Sequence, residues 1–407
     1  MKFTEFNFHE SLAEGIAASG YEEPTPVQEQ VIPHILQGKD IIAFAQTGTG
    51  KTAAFLLPLL NKLLTESHDD HHINALIIVP TRELAIQIAG HLEGLSYFTS
   101  ISSIAVYGGG DGGSFVQEKQ ALSKGVDVVV CTPGKMIAHI NMGYVKLKGL
   151  KYLVLDEADR MLDMGFNEDI MKIISMVPAK RQTLLFSATM PPKIKTLAQK
   201  ILVQPEEVSI AISRPPEKIT QEAFIVYEPQ KIPLVKLLLK SKTFNSILIF
   251  CSRKQNVKQL TVELQRSGIK AEAIHSDLDQ AKREDVLRSF SSKRLPVLVA
   301  TDILSRGIDI DHIDLVINYD VPNDGEDYVH RIGRTARAET DGTAYTFVTE
   351  KEQNKFAAIE QLIGKTVTKA VVPEELGPTP AYQPRTRNNG GGGNNQHRPQ
   401  RKFYHKR

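Results

Sequence analysis

Ile41-Ile42-Ala43-Phe44-Ala45-Gln46-Thr47-Gly48-Thr49-Gly50-Lys51-Thr52 decides how the rest of the chain is read. A short apolar run enters a glycine-rich turn, and an apolar pattern at helical spacing follows from Ala53. Strand, glycine loop and helix in that order are what a phosphate cradle requires. Glycines let backbone N–H groups converge on phosphate oxygens at a helix N-terminus. Lys51 then reaches the β and γ phosphates and Thr52 is placed to ligate Mg²⁺. Ala45 stands where the strict pattern has glycine, so the match is one residue short.

Outward from this unit, β-branched and apolar runs bounded by Gly, Pro or Asp alternate with helical-period stretches, which predicts parallel sheets built from βαβ units. Strands are expected at Ile41–Ala45, Ala75–Val79, Ile104–Tyr107, Val126–Cys131, Tyr152–Leu155 and Thr183–Ser187. A second series is expected at Ala223–Tyr227, Ile247–Cys251, Ala271–His275, Pro296–Ala300, Leu315–Asn318 and Ala344–Val348. Between the two series Pro215-Pro216 oppose both helix and central strand. The fold class is therefore α/β: a phosphate-binding domain over 1–209, a linker over 210–218 and a second domain over 219–372. From Pro373 to Arg407 Pro, Gly, Asn, Gln and Arg dominate and disorder is expected.

The 407 residues suit two or three domains. With 41% hydrophobic and 24% charged residues the chain belongs with globular proteins, which excludes collagen-like, coiled-coil and wholly disordered classes. Cys131 and Cys251 lie far apart in apolar runs, so neither a disulfide framework nor a four-cysteine zinc site is expected. No segment has the roughly 18 apolar residues of a membrane span and no signal peptide is evident, so the expected location is the cytoplasm, with no membrane partner. The net charge is +2, but Arg385, Arg387, Arg398, Arg401, Lys402, Lys406 and Arg407 all follow the last acidic residue, Glu375. Removing those seven charges leaves residues 1–383 at −5. A basic tail on an acidic body suits a polyanion partner such as RNA, with Phe403 and Tyr404 available for stacking; a solubilising or inert end is the alternative.

In open parallel sheets the ligand-binding residues follow the carboxyl ends of strands. Tyr152–Leu155 leads into Asp156-Glu157-Ala158-Asp159. Asp156 fits a second Mg²⁺ anchor. Glu157, pointing the other way along an extended chain, fits the group that orients or deprotonates a water in line with the γ-phosphate. Alone, the cluster would equally suit a helix N-terminus. The second domain has no glycine-rich loop, so one nucleotide is expected. It has His330-Arg331-Ile332-Gly333-Arg334-Thr335-Ala336-Arg337 instead, and in a helix the three arginines would share one face suited to phosphate. Salt bridges to partners such as Glu326 and Asp327 are the alternative. His68-Asp69-Asp70-His71-His72 carries metal-ligand residue types, but its polar setting between a helix and a strand favours a solvated loop.

These residues, with others in order over about 3–350, resemble the DEAD-box family of RNA helicases. An adenine motif runs from Phe3 through Gly20-Tyr21 to Pro26-Val27-Gln28. Further matches are Pro80–Ala85, Gly108-Gly109, Thr132-Pro133-Gly134, Asp156–Asp159 and Ser187-Ala188-Thr189, then Ile249–Cys251, Thr301–Asp309 and His330–Arg337. The resemblance implies two tandem RecA-like domains, RNA-stimulated ATP hydrolysis and local unwinding of short duplexes by a monomer. By the same resemblance, Phe3 stacks on adenine, an apolar N-terminal patch being the alternative. Gln28 reads the base edge, Asp309 touches the ribose, and Arg334 and Arg337 reach the γ-phosphate. Ser187 and Thr189 couple hydrolysis to RNA, whose backbone is held by Arg82, Gly109, Thr132, Gly134 and Thr301. Backbone contacts carry little sequence information, so non-specific binding is expected. Lys135, Ser305 and Ala336 depart from the usual Arg, Ala and Gly, and none removes a catalytic atom. An ATP-dependent RNA clamp or assembly scaffold and a DNA translocase are the rival readings.

Overall fold

The computed structural model describes residues 1–45, 49–69, 71–109, 112–209, 219–241, 244–275, 277–301, 313–323, 325–335 and 342–384. The expected linker and residues 385–407 lie outside them.

Two parallel sheets organise the chain. The first contains β1 (Ile41–Phe44), β2 (Ile73–Ile78), β3 (Ser103–Val106), β4 (Val126–Cys131), β5 (Tyr152–Leu155), β6 (Gln182–Ser187) and β7 (Glu206–Ser209), in the order β3-β4-β2-β5-β6-β1-β7. The second contains β8 (Ile219–Ile225), β9 (Ile247–Phe250), β10 (Ala271–Ile274), β11 (Val297–Ala300), β12 (Leu315–Asn318), β13 (Gly342–Val348) and β14 (Thr368–Ala370), in the order β10-β11-β9-β12-β13-β8-β14. Counted within its own sheet, each strand occupies the same place in both, so the halves share one topology.

Central strands read as unbroken apolar runs because helices cover both faces. Along β1 and β2, Ile41, Ala43, Ala75 and Ile77 face one core while Ile42, Phe44, Leu76 and Ile78 face the other. Each buried Leu, Ile or Val contributes about 1.5–3 kcal/mol, which fixes the register of the strands that carry the site loops. Cys131 belongs to a core of the first domain and Cys251 to one of the second, too separated for a disulfide.

β7 and β14 were not expected from the sequence. Glu206-Glu207-Val208-Ser209 buries only Val208 fully and is a strand because it pairs with β1, Ile41 opposite Glu206, reinforced by Lys39 Nζ on Glu206 Oε1 at 2.6 Å. β14 pairs with β8 in the same way. Tertiary pairing, not local pattern, makes both edges.

The expectation of disorder from Pro373 fails for residues 373–384. Gln230 Nε2 donates to the carbonyls of Leu376 and Pro378, and Gln353 Nε2 donates to that of Ala381. The Gln383 N–H donates to Gln353 Oε1, and the Tyr382 hydroxyl donates to Glu360 Oε2 at 2.6 Å.

Candidate active site

Because every strand of the first sheet is parallel, the loops after β1, β2, β3, β4, β5 and β6 emerge on one edge, and each expected motif of that half except the adenine motif, which precedes β1, follows one of these strands. The Ala45 N–H donates to the Ser187 carbonyl at 3.1 Å, tying the exit of β1 to that of β6. Gln46, Thr47 and Gly48 lie outside the described residues. Gly50 has φ +90°, and a Cβ there would lie 2.5 Å from Gln28 Nε2, so a side chain is excluded twice over. The helix Lys51–Thr65 starts at once, with Lys51 only 6% exposed and Thr52 in its first turn.

Lys51 faces two adjacent carboxyls that shift in opposite directions. Burial pushes Asp156 up to about 6, opposed by Lys51. Burial also acts on Glu157, but the Arg160 guanidinium, with Nη1 3.0 Å from Glu157 Oε2, together with Lys51 and His330, holds that carboxyl below its usual range. Paired carboxyls with divergent proton affinities are the arrangement that acid–base sites use. The chain is not extended at Glu157, contrary to expectation. Asp156 N–H closes the end of β5 onto the Ile78 carbonyl, and Glu157 then turns left-handed at φ 50°, ψ 50° to open the helix Ala158–Asp163. A non-glycine residue held there costs of order 1 kcal/mol or more. The Arg160 partner sits three residues on, a spacing the sequence does display.

The sign of the Asp156 shift makes a prediction. Its folded proton affinity exceeds the unfolded value near 3.8, so its contribution to stability is full below that pH and is lost as pH rises through about 6. At pH 7.5, in chelator and without nucleotide, the buried carboxylate burdens the fold. Asp156→Asn should melt higher than the parent there, with the gap closing toward pH 5, while turnover disappears. A lower melting temperature at pH 7.5 would contradict the shift.

Asp159 Oδ2 accepts the Thr189 N–H and hydroxyl, each at 3.0 Å, and Ser187 Oγ donates to the Thr189 carbonyl at 2.8 Å. The loops after β1, β5 and β6 thus form one hydrogen-bonded unit. Gln28, 2% exposed, accepts the Thr25 N–H at 2.9 Å and donates to the Gly50 carbonyl at 3.0 Å. One N–H and one lone pair of its amide remain for a base edge. Phe3 is 5% exposed, packed in the first-domain core at 5.8 Å centroid separation from Tyr21; the structure favours the apolar-patch alternative over an open stacking platform.

Arg82 opens the helix Arg82–Leu95, which Thr81 caps by accepting the Leu84 N–H. Its guanidinium lies over the Tyr107 ring at 4.8 Å, donates to the Gly108 carbonyl, and meets Glu284 Oε1 of the second half at 2.6 Å. Gly109 has φ +85°. Thr132 and Gly134 flank Pro133 at the start of the helix Pro133–Asn141, and a Cβ at Gly134 would meet nothing within 4 Å. Glu284 was missed: the sequence offers no signal for a partner 202 residues from Arg82.

In the second half Thr301 follows β11, while Asp309, Arg337, Ser305 and Ala336 lie outside the described residues. The expected arginine-bearing helix stops at Ile332, so it carries Arg331 but not Arg334. Arg331 is 3% exposed; it donates to Asn318 Oδ1 and the Asp320 carbonyl and lies over the Phe250 ring. It is a core cation, whereas Arg334 follows the helix end. His68 pairs with Asp127 and His72 with Asp69; Asp70 is outside the described residues, and among those described no three His, Cys, Asp or Glu are assembled for a metal.

Two like-ordered parallel sheets, one bearing a lysine-tipped glycine loop and paired acids, define a two-domain nucleoside triphosphatase. The family model described as DEAD/DEAH box helicase matches residues 25–197, and that described as helicase conserved C-terminal domain matches 230–339. The ATP-dependent RNA helicase CshA of Listeria monocytogenes is 44% identical over 89% of this chain and 69% of its own. The DEAD-box ATP-dependent RNA helicase CshA of Bacillus subtilis is 43% identical over 88% and 72%. The solved structure of Saccharomyces cerevisiae Dbp5 bound to RNA and ADP BeF3 superimposes with a TM-score of 0.81 at 30% identity, covering 91% of this chain and 95% of that one. The chain belongs to the DEAD-box family of ATP-dependent RNA helicases. It is accordingly an RNA-stimulated ATPase with two tandem RecA-like domains.

Proposed function

We propose that ATP lies against Lys51 with its base edge at Gln28, and that one RNA strand lies across Arg82, Gly109, Thr132, Gly134 and Thr301. The two halves clamp on both ligands, bend the strand and release its partner from a short duplex. The observation that supports this most is that groups of the second half act at both sites of the first, one by contact and one through its charge. Glu284 meets Arg82, and His330 contributes to the field on Glu157. Closure therefore reaches the RNA-facing arginine and the water-activating carboxylate together, and the coupling is reciprocal: RNA raises ATP affinity by the factor that ATP raises RNA affinity.

A buried carboxylate beside Lys51 and a hydroxyl in the first helical turn form an oxygen donor set that suits Mg²⁺, with Asp156 and Thr52 holding it. When bound, Mg²⁺ neutralises charge on the phosphate oxygens. Glu157 takes the proton of the attacking water, Lys51 holds the phosphates, and Arg334 with Arg337 meets the γ-phosphate from the other half. Asp309 and Tyr21 line the nucleoside end. The basic tail adds non-specific affinity for RNA or ribonucleoprotein, and the working unit is a cytoplasmic monomer.

Displacement of a labelled strand tests the reading. With ATP, the protein should separate a short RNA duplex and fail on a long one, at rates insensitive to sequence when duplex stability is matched. Binding without displacement would make it a clamp instead; stimulation by DNA with processive movement would make it a DNA translocase.

A further inference from the structure

The helix Gly112–Lys124 follows Gly109, and the helix Pro133–Asn141 opens at Thr132–Gly134. Between them lies a polar network that the ATPase site does not use. Glu118, 5% exposed, has its Oε2 2.9 Å from Lys135 Nζ and 3.0 Å from His139 Nε2. His139 is fully buried, its Nδ1 meets the Tyr144 hydroxyl, and its ring stacks on Phe115 at 5.2 Å and 17°. Lys135 also lies over Phe115, and Lys119 over Tyr144. Phe115 and Glu118 share a face of the first helix at i, i+3, as do Lys135 and His139 of the second at i, i+4. A carboxylate only accepts, so His139 donates from Nε2 and its Nδ1 accepts from Tyr144. Burial holds His139 below its ordinary proton affinity despite Glu118, consistent with a neutral ring.

We propose that Glu118 is a positioning residue for RNA: with Lys135 and His139 it staples the two helices, so that the Gly109 and Thr132–Gly134 loops meet the strand as one surface. Lys135, at the family's arginine position, is then a structural cation and no phosphate ligand. Its charge is already compensated by Glu118, so the pair offers RNA no net charge and releases no counterion. The proposal rests on the assignment of those loops to the RNA backbone.

ATPase titrated with a single-stranded oligouridylate over a range of KCl tests it on the full chain. Glu118→Gln and Lys135→Met should each raise the RNA KM about tenfold, the worth of one charge-assisted hydrogen bond, with kcat at saturating RNA held within about twofold. The double variant should be no worse than either single one. The slope of log affinity against log salt should not change in the double variant, which removes both charges together. If Lys135→Met does not fold, Lys135→Arg, which keeps the pair, should retain the parental KM. A slope reduced by about one in the double variant would make Lys135 a phosphate ligand and overturn the proposal, as would unchanged affinity or a matching fall in kcat in the single variants. Thr132→Val checks the loop assignment separately: staple variants that weaken RNA while Thr132→Val does not would fault the assignment and leave the staple standing.

Discussion

Glu157→Gln should bind ATP and RNA at least as tightly as the parent and hold both, while hydrolysis falls by roughly 10²–10⁴, the usual contribution of a positioned base. The amide keeps the shape of the side chain, and its oxygen can still accept from Arg160 Nη1, so the left-handed backbone is kept although a buried ion pair is reduced to a hydrogen bond. What it loses is the ability to take a proton, together with a negative charge that Arg160, Lys51 and His330 keep ionised. Removing that charge from beside the phosphates favours ATP binding, which is why retention accompanies the block. Single-turnover hydrolysis of labelled ATP, alongside RNA dissociation rates, measures both halves of the expectation. Turnover within tenfold of the parent, or fast release of RNA, would remove Glu157 from its role.

Arg334→Ala carries the second large effect. Lys51, Asp156 and Glu157 come from the first sheet, and Arg334 follows the helix Gly325–Ile332 of the second. A charge that reaches the γ-phosphate only on closure acts on the transition state and little on ground-state ATP. In GTPases such an arginine is worth about 10³–10⁵ in rate. The variant should therefore lose roughly 10³ in kcat with ATP affinity nearly unchanged, and Arg334→Lys should recover little, because an ammonium lacks the planar fork. Arg331→Ala should behave differently: it leaves Asn318 Oδ1 and the Asp320 carbonyl without their buried donor, so melting temperature falls together with kcat. If Arg334→Ala kept kcat, the shared site would be refuted.

The contrast between those two arginines shows where sequence reading ends. Spacing placed the glycine loop, the acids after β5 and the central strands, because parallel strands buried on both faces announce themselves as apolar runs. It could not tell that the helix stops at Ile332, since what turns Arg331 inward is Asn318 and Phe250, distant in sequence. Edges were equally silent: β7 and β14 owe their conformation to neighbours, β1 and β8. For Phe3 the sequence leaves adenine stacking and an apolar N-terminal patch both open, and the packing of Tyr21 on it favours the second. Residues 373–384 have the composition of a disordered end, yet the side-chain amides of Gln230 and Gln353 satisfy their backbone from 28 to 148 positions away, and the Tyr382 hydroxyl reaches Glu360.

The shared strand order has a consequence for assembly. A site built from two like bodies resembles an enzyme active only as a dimer, where each subunit completes its neighbour and dilution switches the reaction off. Here both bodies are sections of one polypeptide, so the completing charges arrive at a local concentration set by the tether, of order millimolar for a short one. Specific activity should stay constant down to protein levels at which a dimer of comparable interface would fall apart.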